Sequence, residues 1–159
     1  FDLVMSPTES IDLAISGLFM DPIYDSFPNS SSGDLTGTKP SNVSETTISS
    51  TITWNFNLNN WDGYLRLSHL YASEAEMLEN PAWQVRLENA GNGLKAQDTL
   101  NFSAGIERDN LSITIWGKNI NDDKYLISAF PAVADPTFTT FFGYPNAYPS
   151  YGATLNYRF

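Results

Sequence analysis

His69 is the chain's only histidine, so a site of several histidines around a metal is excluded within these 159 residues. If the turn at Leu58–Asp62 joins a regular hairpin, Ser50 on one strand lies close to His69 on the next, on the same face. A serine hydroxyl beside an imidazole is the nucleophile and base pair of acyl transfer. No orienting partner for His69 is evident in the sequence, so no catalytic residue is assigned. Cysteine is absent, which removes disulfides, thiolate metal sites and thiol nucleophiles together. The acids Asp21, Asp25, Asp34, Glu74, Glu76, Glu79, Asp122 and Asp123 are scattered, as solvated loop residues are, and no cofactor or metal site is expected. A net charge of −10 with only eight Lys and Arg argues against nucleic acid as a partner. Gly91-Asn92-Gly93 reads as a loop tip, too short to cradle a phosphate. The better lead is the run of aromatics Phe130, Phe138, Phe141, Phe142, Tyr144 and Tyr148, with few charges among them. These rings suit a stacking platform for a sugar or a chelate, or else packing onto neighbouring loops. Of them, Phe138, Phe141, Phe142, Tyr144 and Tyr148 are the candidate ligand contacts.

The elements that must position these residues are strands. At the C-terminus Tyr151, Ala153, Leu155, Tyr157 and Phe159 share one face, with Ser150, Gly152, Thr154, Asn156 and Arg158 on the other. The same alternation recurs over residues 111–119, 98–108, 63–72, 46–57 and 11–20, and residues 1–5 read as the end of one more strand. Residues 63–72 set Leu65, Leu67, His69 and Tyr71 against Tyr64, Arg66, Ser68 and Leu70. That makes about seven antiparallel strands, several of ten residues or more, where ordinary strands run to about five or six. Arg66 and Glu107 are candidates for a pair across the polar face.

Connections alternate in length. Pro7–Ser10, Leu58–Asp62 and Asp109–Asn110 are short and built from turn residues, whereas 21–45, 73–97 and 120–148 are long and read as structureless. Tight turns at one rim and long loops at the other are the habit of outer-membrane barrels, whose strands face lipid on one side and water on the other. Aromatics stand where interfacial girdles belong, at Phe56, Trp61, Tyr64, Tyr157 and Phe159. The expected fold is therefore all-β, an antiparallel transmembrane β-barrel segment. Seven strands do not close a bacterial barrel, and edges open to lipid are costly, so the chain reads as a piece of something longer. No run of eighteen apolar residues exists to form a transmembrane helix, and no basic stretch followed by an apolar one reads as a signal peptide within these residues. A soluble, secreted β-sandwich that binds carbohydrate is the alternative that alternation alone also fits.

Three stretches carry a family likeness: Tyr148-Pro149-Ser150-Tyr151-Gly152-Ala153-Thr154-Leu155-Asn156-Tyr157-Arg158-Phe159, Ile115-Trp116-Gly117-Lys118-Asn119-Ile120-Asn121-Asp122-Asp123-Lys124-Tyr125, and Gly33-Asp34-Leu35-Thr36-Gly37-Thr38-Lys39-Pro40. In this order they resemble the C-terminal part of TonB-dependent outer-membrane receptors. Asp21-Pro22-Ile23-Tyr24-Asp25-Ser26-Phe27 fits the loop before the third stretch. Ser150 departs from the pattern, where many members carry Arg after Pro. The resemblance implies a barrel of about 22 strands around a plug domain, of which residues 1–159 would be the last third. It implies a Gram-negative outer-membrane location and uptake of an iron chelate, cobalamin or oligosaccharide, energised by the TonB complex through an N-terminal part. Tyr151, Leu155, Tyr157 and Phe159 would form the signal read by the barrel-assembly machinery, and outer-membrane lipid would be a partner. A Ser–His pair facing lipid is also the arrangement of outer-membrane phospholipases, so a lipid hydrolase is a remote alternative, although no Ser-Asn-Gly follows His69.

Overall fold

Alternating side chains become strands wherever they were expected. In the computed structural model, which describes every residue except 92, 93, 95, 136 and 138, the chain forms nine strands and one helix among the described residues. These are β1 (Asp2–Thr8), β2 (Ile11–Phe19), β3 (Thr46–Leu58), β4 (Trp61–Ala72), α1 (Pro81–Asn89), β5 (Gln97–Arg108), β6 (Leu111–Lys118), β7 (Leu126–Pro131), β8 (Phe141–Pro145) and β9 (Ser150–Tyr157). Seven strands make one antiparallel sheet in the order β1-β2-β3-β4-β5-β6-β9, and β7 pairs only with β8. The sheet is open, with β1 and β9 as its two edges, and is not closed into a barrel.

Register is regular from β2 to β9. Between β3 and β4 the chain reverses at Asn59 (φ 50°) and Asn60 (φ 68°), the left-handed pair that a two-residue hairpin turn requires and asparagine tolerates. Pro7, read from the sequence as the start of a turn, lies inside β1 instead, where the register shifts between Met5 and Thr8. An edge strand tolerates proline because one side of its backbone needs no partner.

Two of the long connections are not structureless, contrary to expectation. Residues 73–97 contain α1, started by Asn80, whose side chain accepts hydrogen bonds from the amides of Ala82 (3.0 Å) and Trp83 (3.2 Å), with Pro81 in the first turn. Residues 120–148 contain the β7–β8 hairpin. Helix and hairpin share the molecule's one cluster of buried apolar residues among those described: Leu78, Leu87 and Ala129, flanked by Met77, Trp83, Leu126 and Phe141. Gln84 is almost wholly buried beside it. Its Oε1 accepts from the amides of Met77 (3.0 Å) and Leu78 (3.1 Å), and its Nε2 donates to Glu88 (2.8 Å), so its polar atoms are satisfied. Residues 21–45 join this cap through the Asn42 amide, which donates to Glu76 O at 2.6 Å. The buried core thus belongs to the connections at one end of the sheet, not to the sheet.

Candidate functional site

The regular register carries the alternation of each strand into a single two-faced surface. Leu13, Ile52, Leu67, Phe102 and Gly117 are successive neighbours across β2 to β6, and Ile113 pairs with Leu155 on β9. Ile15, Trp54, Leu65, Ile106 and Ile115 lie on that same face. Its large side chains stay open: Leu65 is 45% exposed, Ile115 50% and Leu155 69%. Among the described residues the strands of the sheet make their extensive contacts only with one another, and no other element packs extensively over this face. Thr53, Arg66, Ser103 and Trp116 lie in a row on the opposite face, with Thr51, Ser68 and Asn101 beside them. There Ser6 Oγ donates to Asp12 (2.7 Å), Asn55 Nδ2 donates to the other oxygen of Asp12 (2.9 Å), and Arg66 Nε donates to Thr53 Oγ1 (3.1 Å).

Arg66 and Glu107, considered as a pair, are not together. Arg66 stands beside Ser103 with its guanidinium 5.8 Å from the Tyr64 ring centre, while Glu107 stands between Asp62 and Ser112.

Tyr151, Leu155 and Tyr157 fall on the apolar face of β9, and the Phe159 ring packs edge-on against Tyr157 with centroids 5.1 Å apart. All four are exposed.

Ser50 and His69 are register partners, as the hairpin argument expects. The orienting partner that the sequence did not reveal is Asp98, two residues along β5 from His69's neighbour Leu100, with its Oδ1 2.5 Å from His69 Nε2. The signal was hidden because a diagonal contact depends on register, which sequence alone does not fix. Ser50 makes no hydrogen bond to His69 among the described residues. Ser50 is also paired on both sides, with Ile15 and His69. The backbone amides around it belong to the ladder and leave no donors for an oxyanion. The three groups form a polar patch toward the long-connection end of the apolar face.

The candidate loop aromatics are divided by the hairpin. Phe141 turns inward against the Leu78–Leu87–Ala129 cluster. Phe142 and Tyr144 turn outward with Phe130, ring centroids 5.5 Å and 5.8 Å from Phe130, and all three are exposed. Tyr148 is exposed beyond β8, and Phe138 lies outside the described residues, as do Asn92 and Gly93 of the loop tip. Arg86 of α1 donates to Thr137 O at 2.8 Å, tying the helix to the connection between β7 and β8. That connection is organised by Asp135, whose carboxylate accepts from the amides of Thr137 (2.9 Å), Thr139 (3.0 Å) and Thr140 (2.9 Å) and from two threonine hydroxyls. These bonds, led by Thr137, hold the Asp135 carboxyl well below the usual carboxylate range.

Among the described residues no three His, Asp or Glu side chains converge as a metal ion would need. No described helix is long and apolar enough to cross a membrane. Comparison with protein-family models, with curated proteins and with solved structures found no match.

Proposed function

We propose that this chain supplies wall and outer loops to an outer-membrane β-barrel receptor that takes up a scarce ligand, an iron chelate, cobalamin or oligosaccharide, with energy from the TonB complex. One observation carries the membrane part of this reading: a face of large apolar side chains continuous over seven strands and exposed, with no other element packed extensively upon it among the described residues. In water such a face is far larger than the patches monomers leave open. In a bilayer it is the expected lipid surface, and the polar face of Thr, Ser and Asn is the expected lumen wall.

Strand length agrees. The 13 residues of β3 and 12 each of β4 and β5 extend about 40 Å at roughly 3.3 Å per residue. A tilt of about 45° reduces that to the thickness of the apolar core. The open edges β1 and β9 would then pair with further strands, because unpaired backbone groups facing hydrocarbon cost several kcal/mol each. The ligand-uptake part rests on the sequence likeness to TonB-dependent receptors and on the outward rings Phe130, Phe142 and Tyr144. A lipid hydrolase is disfavoured by Ser50, which lacks both a bond to His69 and an oxyanion site.

The absence of cysteine makes the test clean. Single cysteines at Leu65, Ile113 and Leu155, and at Ser68, Asn101 and Thr114, would be labelled with an environment-sensitive fluorophore in lipid vesicles. Brominated lipid should quench the first three, and aqueous iodide the second three. Equal quenching of both sets by either agent would refute the membrane reading.

A further inference from the structure

We propose that the cavity at the foot of the β7–β8 hairpin is a binding site for an uncharged, hydroxyl-rich ligand, a sugar unit of a neutral oligosaccharide. The proposal deepens the receptor reading by naming its ligand class, and rests on it for the step of uptake.

The three long connections meet there. Asn42 and Ser44 come from the first, Ser73 from the second, and Tyr125, Leu126 and Ile127 from the third, around a space of about 370 Å³. Ala72 and Gln97, the last residue of β4 and the first of β5, form its floor. Both belong to the polar face, since Gln97 shares the parity of Thr99 and Asn101. The cavity therefore opens at the rim on the side of the proposed lumen. Its volume falls within the range of small-ligand sites and is of the order of one or two sugar rings.

Among the described residues no charged side chain lines it, in a chain that has 18 acids. Its polar groups are amides and hydroxyls, and several are partly unused. Among the described residues the Asn42 side-chain oxygen, the Gln97 side-chain oxygen and the Tyr125 hydroxyl have no hydrogen-bond partner. The Asn42 and Gln97 amide nitrogens make only long bonds of 3.4 Å, to Met77 O and Thr99 Oγ1. Amide and phenol groups both donate and accept, as ligand hydroxyls do. Met77, Leu126 and Ile127 add an apolar wall for the carbon-bound hydrogens of a ring.

The neighbouring space decides between neutral and charged ligands. A second cavity of about 480 Å³ shares Ser73 and Ala75 with the first and is lined by Lys39, Glu45, Glu74 and Glu76. Its excess of carboxylates repels an anion and draws a cation to itself, leaving the uncharged cavity to neutral ligands. The position of the site is also fixed from behind. The Asn146 amide donates to Tyr125 O at 2.9 Å, the Tyr125 amide donates to Asn146 Oδ1 at 3.1 Å, and Asn146 Nδ2 donates to Asp123 O at 2.7 Å.

The test uses the whole chain folded in detergent micelles and titrated by saturation-transfer NMR with maltotriose, cellotriose, mannotriose and trigalacturonate. At least one neutral trisaccharide should bind, and trigalacturonate should not. Gln97→Glu should weaken that binding tenfold or more, and Tyr125→Phe, which removes one hydroxyl and leaves the fold alone, severalfold. Binding of trigalacturonate as tight as that of the neutral sugars overturns the ligand class. Binding indifferent to both variants overturns the site. No neutral trisaccharide binding, with the quenching pattern above intact, defeats this proposal and spares the membrane reading. Variant-sensitive sugar binding with the quenching pattern absent supports the site and defeats the membrane reading.

Discussion

The indole of Trp116 on β6 covers Gly152, its register partner on β9, and a β-carbon at Gly152 would collide with the ring. The arrangement recurs across the sheet: Phe56 over Gly63, Tyr64 over Gly105 and Phe102 over Gly117 are each cross-strand partners. Glycine in a strand lacks a side chain to pack, and an aromatic neighbour laid over it restores that contact and pins the register. Gly152→Val would force the indole aside on the polar face of the sheet. A cost of about 1–3 kcal/mol is expected, as for other overpacked sites, measured by denaturant titration in micelles. Trp116→Ala in the same background should absorb most of that cost, because the clash is then gone.

Leu155 and Ile113 are partners on the apolar face, and Thr114 pairs with Thr154 on the other. Arginine at Leu155 or Ile113 is expected to cost about 2–4 kcal/mol when the chain folds into bilayers, and much less at Thr114. Refolding yields into vesicles over a urea series would give the three values. Equal tolerance at all three positions would contradict the assigned lipid side.

The sequence made the sheet legible because a period of two is a local property. Leu65, Leu67, His69 and Tyr71 declare a face without reference to any other strand, and Asn59-Asn60 declares a turn. Even the Ser50–His69 pairing followed from one hairpin. The cap was less legible. Asn80-Pro81 is a recognisable helix start, but the helix has 9 residues, and only Trp83, Gln84 and Leu87 among them point to packing. The β7–β8 hairpin hid because each strand is short and a bulge lies between Leu126 and Ser128. Phe141 and Phe142 therefore looked alike in the sequence, although one faces the cap's core and the other faces outward. The uncharged cavity draws on four separated segments, and no spacing within one segment could announce it.

The Ser50–His69–Asp98 patch yields a sharper expectation than its resemblance to a hydrolytic triad suggests. His69 Nε2 is engaged with Asp98, and the strand ladder takes up the amides that would have to stabilise an oxyanion. Ser50→Ala and His69→Ala should each leave release of fatty acid from phospholipid vesicles at the background rate of the unaltered chain. A hydrolysis rate above that of empty vesicles that falls a hundredfold or more in both variants would restore the enzyme reading.

Asp135 gives the cap a defined response to acid. Its carboxyl is held below the usual value of 3.8 by the hydroxyl and amide of Thr137, with further bonds from Thr139 and Thr140. A carboxyl with a lowered value in the folded loop adds stability that is complete above 3.8, declines as pH falls below that value and is gone once pH lies below the lower, folded value. The amides of Thr137, Thr139 and Thr140 should therefore keep full protection from hydrogen exchange above pH 3.8 and lose it progressively as pH falls below that value. Asp135→Asn keeps one acceptor but loses the charge and the second oxygen, and should raise exchange at all three amides at every pH. Protection in the unaltered chain that does not change as pH falls below 3.8 would show that Asp135 does not hold this loop. Because Arg86 reaches Thr137 O from α1, the same variant should also loosen the helix against the hairpin, read as faster exchange at the Leu87 amide.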